Sequence, residues 1–156
     1  MKKKIENYEQ AKEKALTLLE FRSHSEKELS DKLRINGADD EMIEEVLEFC
    51  RRYGFVNDGD YALRKARDLY NLKKYGKYRI EQELRAKGID SEYIARALEE
   101  LEMNPEDLKP LVEKKLNSNF DKKNIDKCIR YFLYRGYEFS HIKECIEEIK
   151  GEAYDL

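Results

Sequence analysis

A chain of 156 residues with 42% charged and 40% hydrophobic residues, seven glycines and two prolines has the makeup of a helical protein with solvated outer faces. That composition argues against a turn-rich β sandwich or barrel, and a formal net charge of −3 gives no global attraction for nucleic acid. Any such contact must come from where the charges sit. The three cysteines, Cys50, Cys128 and Cys145, are odd in number, form no CxxC pair and lie in helix-like apolar patterns, as expected of reduced core thiols in a cytoplasmic protein. The start MKKKIENYEQ is basic but leads into a charged amphipathic helix, so neither a signal peptide nor a membrane span is expected.

In chain order, YEQAKEKALTLLEF places Ala11, Ala15, Leu18 and Leu19 on one side of a first helix. Ser25 and Glu28 have the spacing of a capping box, and the helix they open carries Leu29 and Leu33 before Gly37 stops it. Asp39 or Asp40 caps a third helix with Ile43 and Leu47 on its face. After a junction at YGFVNDGD, Asp58 is the expected cap of a helix whose Ala62, Ala66, Leu69 and Tyr70 repeat the first helix 51 residues later. Ile80, Leu84 and Gly88 repeat the second helix and its stop. Ser91 is the expected cap of a helix whose Ile94 and Leu98 repeat the third.

A second junction at MNPED, with Asn104 as cap, opens a looser copy. Leu108, Leu111, Val112 and Leu116 form its first face, and Pro110 is expected to start or kink that helix. Cys128, Phe132 and Gly136 then supply the helix and glycine stop, and Ser140 is the expected cap of a last helix carrying Ile142 and Ile146. The spacing predicts an all-α chain of three tandem three-helix repeats, over residues 8–56, 57–103 and 104–150. Each repeat lies near the lower limit for independent stability, so neighbours are expected to pack into an extended array.

The wording of two repeats is specific. ALTLLEFRSHSEKELSDKLRINGAD contains Leu19, Arg22, Ser25, Glu28, Leu29, Lys32, Leu33 and Gly37. NDGDYALRKARDLYNLKKYGKYRIEQELRAKGID contains Asp58, Tyr61, Ala62, Gly76, Ile80, Glu83, Leu84, Lys87 and Gly88. Together these segments resemble the signature repeats of the RecX family, bacterial regulators of the RecA recombinase, strongly from residue 11 to about residue 100. The resemblance implies a crescent of helical repeats that lies along or in the groove of the RecA filament on DNA. It also implies lowered ATPase, recombinase and co-protease activity, and a place in homologous recombination, DNA repair and the SOS response.

From Ala62 to Gly88 the chain carries nine cations, Arg64, Lys65, Arg67, Lys73, Lys74, Lys77, Arg79, Arg85 and Lys87, against Asp68, Glu81 and Glu83. From Asp90 to Asp107 the balance reverses, with seven carboxylates against Arg96. Segregation of this kind orients an approaching polyanion as well as attracting it. Glu81 with Arg85 and Glu83 with Lys87 have the spacing of local helix pairs. Arg64, Arg67, Asn71 and Lys74 instead share a predicted stripe opposite Ala62, Ala66 and Leu69, and are better contact candidates.

Around that stripe, Lys73, Tyr75, Lys77, Tyr78 and Arg79 mix rings with cations as single-stranded bases and phosphates require. Tyr75 and Tyr78 suit base stacking and core packing equally, and Tyr61 suits a core position. In CIRYFLYRGY the third repeat adds Arg130 and Arg135 beside Tyr131, Tyr134 and Tyr137, rings that also suit a small core.

No HExxH or Cys/His spacing offers a metal site, and no glycine-rich loop opens a helix to hold nucleotide phosphates. Neither an enzyme nor a cofactor is expected, and His24 and His141 lie far apart. The expected protein is a monomeric, cytoplasmic, non-enzymatic modulator of the RecA filament, with single-stranded or filament-bound DNA bound weakly on its own. The alternatives are a general DNA-binding helical-repeat module, recognisable by steeply salt-dependent binding to naked DNA, and a structural adaptor.

Overall fold

The computed structural model describes residues 4–155; residues 1–3, with two lysines of the basic start, and residue 156 lie outside the described residues. Among the described residues the chain is all-α. The helices are α1 (Tyr8–Phe21), α2 (Glu26–Ile35), α3 (Asp40–Arg52), α4 (Asp58–Asn71), α5 (Lys77–Ala86), α6 (Ser91–Glu100), α7 (Leu108–Leu116), α8 (Lys122–Tyr134) and α9 (Phe139–Tyr154). A 3-10 turn, Pro105–Asp107, leads into α7. The array divides into two compact units. The first comprises the chain up to Lys65 with Leu84–Leu98, and the second comprises Ala66–Glu83 with the chain from Glu99.

In the first unit, Ala11 and Ala15 are fully buried, and their small side chains let α1 approach α2 and α3 closely. Leu29, Leu33, Ile43, Val46, Leu47 and Cys50 complete that core. In the second unit, α7 packs on α8 and α9 around Leu108, Val112, Leu116, Cys128, Phe132, Ile142, Cys145 and Ile146. Burial explains all three thiols, whose ionisation it suppresses.

The glycine stops adopt left-handed backbone, with φ of 103° at Gly37, 77° at Gly88 and 98° at Gly136. Each closes its helix with two backbone bonds. At the third, Gly136 N–H donates to Leu133 O at 3.0 Å and Tyr137 N–H to Phe132 O at 3.1 Å. Gly54, with φ of 72°, ends α3 in the same way.

The Ser25–Glu28 capping box is present, and of the two aspartates before α3 it is Asp39 that caps. Three expected caps sit elsewhere. Asp58 is already the first residue of α4, where Asn57 Oδ1 takes the Asp60 N–H at 3.1 Å. Ser91 lies inside α6, whose first carbonyl is that of Asp90, and Ser140 lies inside α9 behind Glu138. Pro110 neither starts nor interrupts α7. It sits in the first turn, where a missing N–H leaves no intrahelical bond unmade.

Candidate nucleic-acid interface

Two glycine loops dock on the starts of two helices, one within each unit. In the second unit the Gly136 loop meets the start of α5: Gly76 N–H donates to Arg135 O at 2.8 Å, and Tyr78 N–H donates to Gly136 O at 3.1 Å. A Cβ on Gly76 would lie 2.6 Å from the carbonyl carbon and oxygen of Gly136, and one on Gly136 would strike the backbone of Arg79. Only glycine at both positions allows the two main chains to touch.

Around this contact, cations and rings alternate. The Arg79 guanidinium lies 4.7 Å from the centre of Tyr75 and 4.8 Å from that of Tyr134. Arg135 lies 5.0 Å from Tyr75 and 5.4 Å from Tyr131, and Lys115 Nζ is 4.1 Å from Tyr131. Tyr75 is therefore shared between two guanidinium groups, each contact worth about 0.5–1 kcal/mol at an accessible site. Arg79 Nε also donates to Glu83 Oε1 at 2.9 Å, and Nη1 to Tyr134 O at 3.3 Å. Arg135 Nη2 donates to Lys73 O, and Tyr137 Oη to Lys74 O at 2.8 Å. The turn between α4 and α5 is thus fixed through its carbonyls while the Lys73 and Lys74 side chains remain exposed.

On the other side of the contact, exposed Tyr78 donates to Glu138 Oε1 at 2.9 Å, which raises the phenol above its ordinary range. Lys77 is exposed beside it. Burial, with the nearby Tyr70 hydroxyl, pushes the Tyr137 phenol up to about 12.

Arg67 and Asn71 are exposed on the part of α4 in the second unit, Arg130 is exposed on α8, and Arg64 is exposed in the first unit. Among the described contacts none ties Arg67, Asn71 or Arg130 to the ring cluster. Lys74 does not continue the predicted stripe. It lies past the end of α4 with φ of 59°, so helical spacing no longer places it. The expected Glu81–Arg85 and Glu83–Lys87 pairs are absent from the described ion pairs: Glu83 bonds Arg79, and Lys87 reaches Glu28 at 3.3 Å. Lys115 is a member of the cluster that the sequence does not single out. Its only sequence signal was the paired lysine in VEKKL, which does not say that α7 ends beside Tyr131.

In the first unit the Gly88 loop meets the start of α2, where Ser25 Oγ donates to Lys87 O at 2.7 Å. Glu28 accepts from Arg22 at 3.0 Å as well as from Lys87, and the buried Tyr61 hydroxyl adds another bond. Burial alone would raise the Glu28 carboxyl, but bonds from Arg22, the Ser25 N–H and Tyr61 outweigh it and hold the group at about 2. His24 is buried, and burial lowers its affinity for a proton. Its Nδ1 lies 2.9 Å from Arg22 O and its Nε2 lies 2.8 Å from Lys32 Nζ, an arrangement that fits a neutral ring donating through Nδ1.

Comparison with known proteins turns these features into a family. The model of the first three-helix domain of RecX matches residues 11–50, and that of the second three-helix domain matches residues 57–98. The chain belongs to the RecX family. It is 36% identical to the regulatory protein RecX of Clostridium acetobutylicum over 94% of this chain and 72% of that one. Against the regulatory protein RecX of Clostridioides difficile the identity is 34%, over 97% and 74%. The crystal structure of RecX from Lactobacillus salivarius superposes with a TM-score of 0.80 at 26% identity, covering 92% of this chain and 96% of the other. Likeness to these RecX proteins extends past the two matched domains toward α7 and α8, which bring Lys115, Tyr131 and Tyr134 to the ring cluster. Among the described residues no helix is long and apolar enough to cross a membrane, and no group of three or more acidic, histidine or cysteine side chains is placed to hold a metal.

Proposed function

We propose that this member of the RecX family binds the RecA nucleoprotein filament as a cytoplasmic monomer and lowers its ATPase, recombinase and co-protease activities without chemistry of its own. The observation that carries the reading is the surface of the second unit. Lys73, Lys74, Lys77, Arg130 and Arg135 appear in none of the described ion pairs, on a chain that is acidic as a whole. Tyr75 and Tyr134 are interleaved with those cations. A protein that prefers one filament state shifts the filament toward it by the difference in affinity alone, so a binding surface suffices. Arg64, Arg67 and Asn71 on α4 join Tyr78 and Arg79 as contact residues, and the three repeats over residues 8–56, 57–103 and 104–150 set reach and register.

The test is DNA-dependent ATP hydrolysis by the cognate RecA with substoichiometric additions of this chain. Inhibition is expected, and replacing Arg64 and Arg67 by alanine should weaken it several-fold without lowering helix content. No inhibition at saturating protein would sink the reading. Tight, salt-sensitive binding to naked DNA without that inhibition would favour a general DNA-binding module instead.

A further inference from the structure

A groove in the second unit is lined by Lys74, Lys114, Lys115 and Arg135 around Leu111 and Tyr131. No carboxylate lines it. The cations come from three separate places: the turn after α4, the last turn of α7 and the end of α8. The α7 dipole accounts for lysines at its C-terminus. It does not account for Lys74 and Arg135 joining them, since like charges gathered at one groove repel unless an anion enters.

We infer that this groove holds the phosphate backbone of a single nucleic-acid strand, with Lys114 and Lys115 as contacts that neither family resemblance nor sequence spacing had supplied. Lysines on flexible stems suit phosphates met at varying angles. Arg135 is held by Lys73 O and stacked against Tyr75 and Tyr131, so its direction is fixed. Tyr131 at 39% and Tyr134 at 74% exposure leave ring surface at the groove and beside it for bases to cover. Those faces favour an unpaired strand over a duplex, whose bases are already stacked, and over an acidic protein surface, which has no use for the rings. This inference rests on the proposed function only in its choice of partner.

The experiment is fluorescence anisotropy of a labelled oligothymidylate with the full chain and no RecA, across a salt series, for the native protein and a Lys114→Gln/Lys115→Gln variant. Affinity should fall about tenfold, and the log–log salt dependence should become shallower by about 1.4, the loss of two phosphate contacts. Lys115→Arg should retain the slope, and a thermal melt followed by circular dichroism confirms folding. Unchanged affinity and slope in a folded double variant would overturn the inference. So would a variant that binds the oligonucleotide normally but has lost RecA filaments, since the groove would then serve an acidic protein surface. A native chain that binds the strand through these lysines yet leaves RecA ATPase untouched would remove the proposed function and leave the groove standing.

Discussion

The first unit's loop junction and the second unit's use the same backbone plan and opposite side-chain chemistry. Fifty-one residues separate Ser25 from Gly76 and Glu28 from Arg79, and each pair holds the same place at the start of its helix. Lys87 and Arg135 stand just before their glycines, and both offer a backbone carbonyl to the docked helix start. In the first junction every local preference is met: a serine cap, an acid at the third helical position, and cations placed on that acid. In the second, glycine replaces the cap, arginine faces the positive end of the helix, and half-buried Tyr75 stands where the first has buried His24. An unfavourable charge at a helix start costs about 0.3–1 kcal/mol. Departures from local preference concentrate where a chain works on a partner, and here they fall together at one junction.

The sharpest way to break the comparison is to remove the close approach of two main chains on which the second junction depends and which the first replaces by a serine hydroxyl on Lys87 O. Gly136→Ala should cost about 3 kcal/mol, because a side chain at φ of 98° is strained and its Cβ meets the Arg79 main chain, which cannot turn aside. Gly54→Ala provides the contrast. It has φ of 72° but nothing within 4 Å of its Cβ, so only the conformational cost of about 1 kcal/mol remains. Urea denaturation of both variants checks this, and equal losses would mean that the Gly76–Gly136 contact contributes no stability.

A second, smaller effect separates the junctions by acid. The Glu28 carboxyl titrates at about 2 in the folded chain, below its ordinary 4.5. Its stabilisation is therefore complete above the unfolded value and disappears as pH falls from about 4.5 toward 2. His24 acts in the same direction from its ordinary 6.5 downward, because the unfolded ring takes up a proton more readily than the buried one. Glu28→Gln should lower stability at neutral pH and flatten its decline below pH 4.5. A decline unchanged in the variant would show that other carboxylates set the acid limit.

The repeat itself was legible because glycine stops and the four-residue spacing of Leu29 with Leu33 and Ile80 with Leu84 are local properties, fixed by helix geometry alone. Caps were less so. Where several polar residues adjoin, as at NDGD and EFSH, local wording does not say which one begins the helix, and Asn57 and Glu138 took the places expected for Asp58 and Ser140. Contact chemistry was legible only as far as a helix continued. Extending the α4 stripe to Lys74 failed at a turn of positive φ, and pairing Glu83 with Lys87 failed because Glu28, 59 residues away, was the better partner. The cluster of Tyr75, Arg79, Arg135, Tyr131 and Lys115 draws on three helices and a turn, and no periodicity in one segment reports such a meeting.

The smallest stability change should come with a clear functional one. Tyr75→Ala removes the ring between Arg79 and Arg135 and so two cation–π contacts, about 1 kcal/mol in all, while leaving the Gly76–Gly136 backbone contact in place. Freed of the ring, two like charges face each other and no longer present a fixed surface, so several-fold more protein should be needed to inhibit RecA ATP hydrolysis. Tyr75→Phe keeps the ring and should keep both stability and inhibition. If Tyr75→Ala lowers the melting temperature but inhibits as the native chain does, the second junction is a scaffold like the first and its unusual side chains serve packing. If inhibition falls while Tyr75→Phe restores it, the ring positions the two arginines for the partner, and the departure from the first junction has a use.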